Sequence, residues 1–187
     1  MKGQWKNIYS GDLALRSWWV DSVNDCKYVS ILLPEVFGIN NWIRSFSEKL
    51  AQQNVPVLAL PLYGRTAPNL DLEYSEEDLK LGRHHKNLTT LKNIIDDVSA
   101  AINWVKEKYP SKKISIIGFC FGGHAAFIAS SLKGIESSFC FYGAGIVSLR
   151  NDTNSAPIDL LEKVSGKLNF ICGSSDDLIP LRDRLEI

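Results

Sequence analysis

The sharpest group of residues able to do chemistry is Gly118-Phe119-Cys120-Phe121-Gly122-Gly123. It follows the apolar run Ile114-Ser115-Ile116-Ile117 and precedes the helix-prone stretch Ala125 to Leu132. A strand, a sharp turn and a helix, with a nucleophilic side chain at the apex, is the layout of a nucleophile elbow, here with cysteine in the place of serine. So tight a turn strains its central residue and requires small neighbours, and Gly118 and Gly122 stand two residues either side of Cys120. The helix that follows points free N–H groups and the positive end of its dipole at the thiol, which predicts a lowered thiol pKa and a thiolate nucleophile. The plainer alternative is a buried structural cysteine beside a helix-packing glycine pair; the strand-to-helix context favours the nucleophile. Cys26, Cys140 and Cys172 lack that context and read as small packing residues. A redox-sensing thiol at Cys120 is a weaker option, because no resolving cysteine is near it in sequence.

The elements that must hold this turn are legible as alternating patterns. Five short apolar runs read as strands buried on both faces: Tyr28 to Leu33, Val55 to Leu62, Lys113 to Gly118, Ser138 to Tyr142, and Leu168 to Gly173. Between them, Leu91, Ile95, Val98, Ile102 and Val105 fall on one stripe of a long helix ending near Tyr109-Pro110, and Ile43, Phe46 and Leu50 mark another that Asn40 or Asn41 caps. The alternation predicts an α/β fold, a mostly parallel sheet with helices on both faces, in a single domain over residues 1–187. Trp5 to Val20 reads as a strand or hairpin added at one sheet edge. Thr66 to Lys86 and Gly143 to Pro157 are polar, unpatterned and follow strands, which makes them candidate pocket walls.

With 187 residues, 45% of them apolar, the chain can bury a sizeable core. Lys plus Arg and Asp plus Glu each total 21, so no field of one sign draws in nucleic acid or an anionic membrane. There is no apolar run of membrane-spanning length and no signal-like N-terminus, so a soluble cytoplasmic protein is expected. The cysteines form no C-x-x-C pair, which argues against a zinc site. The sequons at Asn87 and Asn151 read as coincidence in that setting.

Three ordered segments resemble the dienelactone hydrolase family of the α/β-hydrolase superfamily: Leu33-Pro34-Glu35-Val36-Phe37-Gly38-Ile39-Asn40, then Gly118 to Gly123, then Gly173-Ser174-Ser175-Asp176-Asp177-Leu178-Ile179-Pro180. Weaker echoes lie at Leu62 to Arg65 and Asp97 to Ile102, while Pro61 stands where many relatives carry an aspartate. The resemblance implies hydrolysis of an ester or lactone by a Cys-His-Asp triad without metal or organic cofactor, acting on a small molecule. It makes Cys120 the nucleophile, Asp176 the acid that orients the histidine, and Glu35 the carboxylate that governs thiol ionisation. The backbone N–H groups of Phe121 and Val36 are the implied oxyanion hole. Asp177 is a neighbouring alternative to Asp176. Arg65, Lys80 and Arg83 are candidates for holding a substrate carboxylate, with solvated surface charge as the alternative for each.

The family's histidine follows the acid by a few tens of residues, whereas no histidine follows Asp176 here. His84 and His85 read as exposed residues, and His124, one turn past Cys120, as a packing or pocket residue. The resemblance therefore implies a chain truncated before the last strand and helix of the fold, lacking its base. A non-catalytic member binding a small molecule or a protein through the same pocket is the alternative. Nothing in the sequence marks an oligomeric state.

Overall fold

Seven strands form in the computed structural model, which describes residues 2–187, and the apolar β-branched runs lie at the centre of the sheet, where both faces are covered. They are β1 (Gln4–Ser10), β2 (Leu13–Val20), β3 (Tyr28–Leu33), β4 (Val57–Ala59), β5 (Lys113–Phe119), β6 (Ile135–Phe141) and β7 (Lys167–Ile171). They form one sheet in the spatial order β1-β2-β4-β3-β5-β6-β7. Strands β3 to β7 run parallel, and the β1–β2 hairpin joins antiparallel to β4, with Trp18, Trp19 and Val20 opposite Ala59, Leu58 and Val57. The α/β fold and the edge hairpin are as the sequence patterns predict.

Side chains alternate between two cores across the sheet: Ile31 and Leu33 of β3 enter one, and Leu32 between them enters the other. Helix α3 (Leu91–Lys108) covers the first face together with α4 (Phe121–Ala129), and α1 (Asn41–Gln52) covers the second. Asn40 caps α1 by accepting from the Ile43 N–H at 3.1 Å. Helix α5 (Leu181–Glu186) and a 3-10 helix at Pro157–Lys163 complete the elements with α2 (Glu76–Leu88). No helix among the described residues is long and apolar enough to cross a membrane.

Four details differ from the sequence patterns. Strand β4 is shorter than the run Val55 to Leu62 because Pro56 and Pro61, which have no N–H to give a ladder, bracket it. Strand β6 begins at Ile135, its buried Ser137 and Ser138 hiding its start from an apolar reading. Strand β7 lies at the sheet edge and is half-exposed rather than buried on both faces. The unpatterned Thr66 to Lys86 holds most of α2, of which only Gly82 is fully buried. That helix is specified at its ends instead, with Ser75 accepting from the Asp78 N–H, Glu76, Glu77 and Asp78 in the first turn, and His85 and Lys86 in the last.

Candidate active site

Cys120 joins β5 to α4 with φ +54° and ψ −116°, a conformation in which a Cβ is strained. The neighbours determine it. A Cβ at Gly118 would lie 1.9 Å from the Gly122 carbonyl oxygen, one at Gly122 2.1 Å from that of Leu33, and one at Gly123 2.4 Å from that of Phe141. No side chain fits at any of the three, so α4 lies against the ends of β3, β5 and β6 backbone to backbone. The Cys120 N–H donates to the Phe141 carbonyl at 3.0 Å, and the Cys120 carbonyl accepts from the His124 N–H at 3.1 Å, which locks the turn from both sides.

The backbone N–H groups of Phe121 and Val36 both face the sulfur and favour its charged form. The thiol pKa is nevertheless raised: desolvation outweighs the Phe121 amide, and the charge of Glu35 adds to the rise against Lys86 and the Val36 amide. The expected helix-lowered thiolate is thus corrected. Cys120 rests as a thiol because burial, which a sequence does not display, exceeds what the helix N-terminus supplies. Glu35 accepts hydrogen bonds from the Tyr74 hydroxyl at 2.9 Å and the Tyr142 hydroxyl at 3.4 Å. Val36 is held from behind by α2, whose Gly82 comes so close that a Cβ there would lie 2.3 Å from the Val36 carbonyl oxygen.

Cys120 opens into a pocket of about 570 Å³. Its walls come from three separate segments: Leu79, Arg83 and Lys86 of α2, Ser148 to Asp152 of the loop after β6, and Leu178 of the loop after β7. Both stretches expected as pocket walls contribute. The profile of the dienelactone hydrolase family matches residues 18–187. The chain belongs to the dienelactone hydrolase family. It is 32% identical over 161 residues to a Synechocystis sp. protein assigned as a carboxymethylenebutenolidase, covering 85% of this chain. It is 25% identical over 158 residues to the carboxymethylenebutenolidase of Pseudomonas putida, covering 81% of this chain. The chain spans 65% of the length of each of these relatives. A crystal structure of a Klebsiella pneumoniae protein assigned as a dienelactone hydrolase superposes with TM-score 0.81 at 19% identity, over 98% of this chain and 77% of that one. An esterase of Pyrococcus furiosus superposes with TM-score 0.68 at 19% identity, over 99% and 75%. These structures show the α/β-hydrolase fold.

Within that fold the other candidates separate. Asp176 lies in the loop after β7, where its Oδ1 accepts from the Leu178 N–H at 2.9 Å, an Asx-type turn; Asp177 beside it is exposed. The structure brings Cys120, Glu35 and the Phe121 and Val36 amides together, and gives Asp176 no side-chain partner beyond its own turn. His124 is buried, with Nδ1 2.9 Å from the Ala144 carbonyl and Nε2 2.7 Å from Arg150 Nη1. Burial above all, with Arg150 adding to it, pushes its pKa down to about 4, so the imidazole is neutral, donating through Nδ1 and accepting at Nε2. Both ring nitrogens are engaged away from the sulfur, in keeping with a packing and pocket residue. His84 and His85 ride on α2 as expected from their polar setting, though His85 is half-buried against Tyr63.

Of the three cations proposed for a substrate carboxylate, Arg83 lines the pocket, Lys80 does not, and Arg65 is committed elsewhere. Its guanidinium pairs with Asp97, whose carboxylate is only 2% exposed inside α3. Lys86, not singled out from sequence, is the side chain whose positive charge favours the Cys120 thiolate. The available signal was its place three residues after Arg83, on the same helix face. Arg150, also unforeseen, donates to His124, to Asp152 Oδ1 at 2.8 Å and to the Thr89 carbonyl at 2.8 Å, pinning the loop wall to α4 and to the start of α3.

Proposed function

We propose that this chain provides the nucleophilic centre of a hydrolase for small ester or lactone substrates, with Cys120 as nucleophile. The observation that carries this reading is the strained, glycine-packed Cys120 with the two converging amides of Phe121 and Val36 at the floor of a pocket. In this reading the sulfur attacks the substrate carbonyl carbon, and the carbonyl oxygen gains negative charge where the two N–H groups can stabilise it. The C–O bond to the leaving alcohol then breaks, leaving a thioester on Cys120, which water hydrolyses to the acid. The thiol gives its proton to solvent before attack, the charge of Glu35 beside it sets how readily that proton leaves, and the departing alcohol takes a proton from water. Asp176 is the acid assigned to orient a histidine base; the histidines of this sequence are engaged or placed elsewhere. Arg83 and Lys86 make the α2 wall cationic, which suits a substrate carrying a carboxylate.

The names of the carboxymethylenebutenolidase relatives support a lactone as the bond cleaved. The first half-reaction tests the reading without requiring turnover. Incubation with p-nitrophenyl acetate should release one equivalent of nitrophenol per chain and leave one acetyl group on the peptide containing Cys120, detected by mass spectrometry. Cys120→Ala should abolish both signals. Acetylation elsewhere, or a burst surviving in Cys120→Ala, overturns the assignment.

A further inference from the structure

Two tyrosines from distant parts of the chain converge on one carboxylate. Tyr74 stands just before α2 and Tyr142 directly after β6, and each places its hydroxyl on a different oxygen of Glu35: Oε2 for Tyr74 at 2.9 Å, Oε1 for Tyr142 at 3.4 Å. Both rings are exposed on one side and packed on the other. Tyr74 packs edge-on against Phe37 with centroids 4.6 Å apart, and Tyr142 lies against Phe119 at 6.1 Å. The backbone of Tyr142 is itself strained, with φ +41° on a bulky residue. It is forced there by the next residue: Gly143 approaches α4 so closely that a Cβ on it would lie 2.6 Å from the His124 nitrogen. Strain at a position that contacts a site carboxylate, and whose hydroxyl also senses the charge of Cys120, marks a residue held for what its side chain does there.

We propose that Tyr142 and Tyr74 are positioning residues that clasp the Glu35 carboxylate and keep it off the Cys120 sulfur, leaving the sulfur to the Phe121 and Val36 amides. This rests on the reading of Cys120 as the nucleophile. A carboxylate offers about four acceptor sites and turns toward whatever donors face it. The tyrosine hydroxyls occupy one site on each oxygen. With a hydroxyl gone, the freed oxygen is left to water and to the thiol, and a thiol donating to a carboxylate is held in its neutral form. The other charged or titratable groups that face the sulfur are Lys86 from α2 and Tyr63 from the loop after β4, and neither takes part in the clasp.

The test is the rate at which iodoacetamide alkylates Cys120 as a function of pH, followed on the Cys120 peptide by mass spectrometry so that the other cysteines do not interfere. Tyr142→Phe keeps the ring and removes the hydroxyl. It should slow alkylation at pH 8 about three- to tenfold, the loss expected from a rise of half to one pH unit in the midpoint of the profile. Tyr74→Phe, which leaves the strained turn untouched, should shift the midpoint in the same direction and serves if Tyr142→Phe does not fold. In a Glu35→Gln background neither change should have any effect, an outcome that a general loosening of the pocket would not give. An unchanged or faster rate in either tyrosine variant overturns the clasp, as does a slowing that persists with Glu35→Gln. Alkylation needs no ester turnover, so this result is independent of whether Cys120 forms an acyl intermediate.

Discussion

Replacing Cys120 by alanine and by glycine measures what the turn costs, separately from its chemistry. Both substitutions remove the thiol, so the difference between them isolates the Cβ. At an unstrained position glycine is less stable than alanine by about 0.5–1 kcal/mol, because the unfolded chain gains freedom. At φ +54° and ψ −116° the Cβ carries a penalty of about 1–3 kcal/mol that glycine escapes. The usual order should therefore invert, with Cys120→Gly more stable than Cys120→Ala by about 1 kcal/mol at the middle of these ranges. Urea unfolding at fixed pH reads this directly. With a slope of about 2 kcal/mol/M, the midpoint of the glycine variant should lie about 0.5 M above that of the alanine variant. An alanine variant equal to or more stable than the glycine variant refutes the claim that this backbone is strained and held by its surroundings.

Other outcomes follow from single contacts. Arg65→Met leaves the Asp97 carboxylate, 2% exposed, without its cation and should destabilise the fold by about 3 kcal/mol in the same unfolding assay. His124 has a folded-state pKa of about 4 against 6.5 when free, so between those values the unfolded chain binds more protons than the folded one. Its contribution is complete above pH 6.5 and is lost as pH falls to 4, up to about 3 kcal/mol. His124→Gln should flatten that part of the stability profile, and an unflattened profile would place the acid sensitivity elsewhere. Lys86→Met removes the cation that favours the thiolate and should slow alkylation of Cys120 about two- to fivefold at pH 8, modest because the side chain is half-exposed.

The elbow is readable from sequence because its requirement is steric. Where backbones approach within a Cβ radius only glycine is admitted, so Gly118 and Gly122 report the geometry on their own. The place of Glu35 at the rim of the sheet and the edge position of the first hairpin are readable because each adjoins an apolar run, whereas the order of the strands across the sheet is not. Tyr74 and Tyr142 leave no such trace, since they lie 68 positions apart and meet only through tertiary packing. The ionisation of Cys120 is hidden differently: the helix N-terminus is visible in the sequence, but the desolvation that overrides it depends on how many other segments close over the sulfur. Helix α2 escapes notice because only Gly82 of its inward face is fully buried, beside the partly buried Leu79 and His85, which is too little apolar periodicity to detect.

That glycine has a consequence for how the pocket can change over generations. Helix α2 presses on the Val36 carbonyl through Gly82, the one residue of the helix that is fully buried, with Leu79 partly buried against the core. The floor around Cys120 is held by contacts that admit no added atom, while the α2 wall also carries Arg83 and Lys86, neither of which is buried. Selection can rewrite the wall one substitution at a time without crossing sequences that fail to fold. The shape of the turn that holds Cys120 and the lining that faces it are thereby inherited through different parts of the chain.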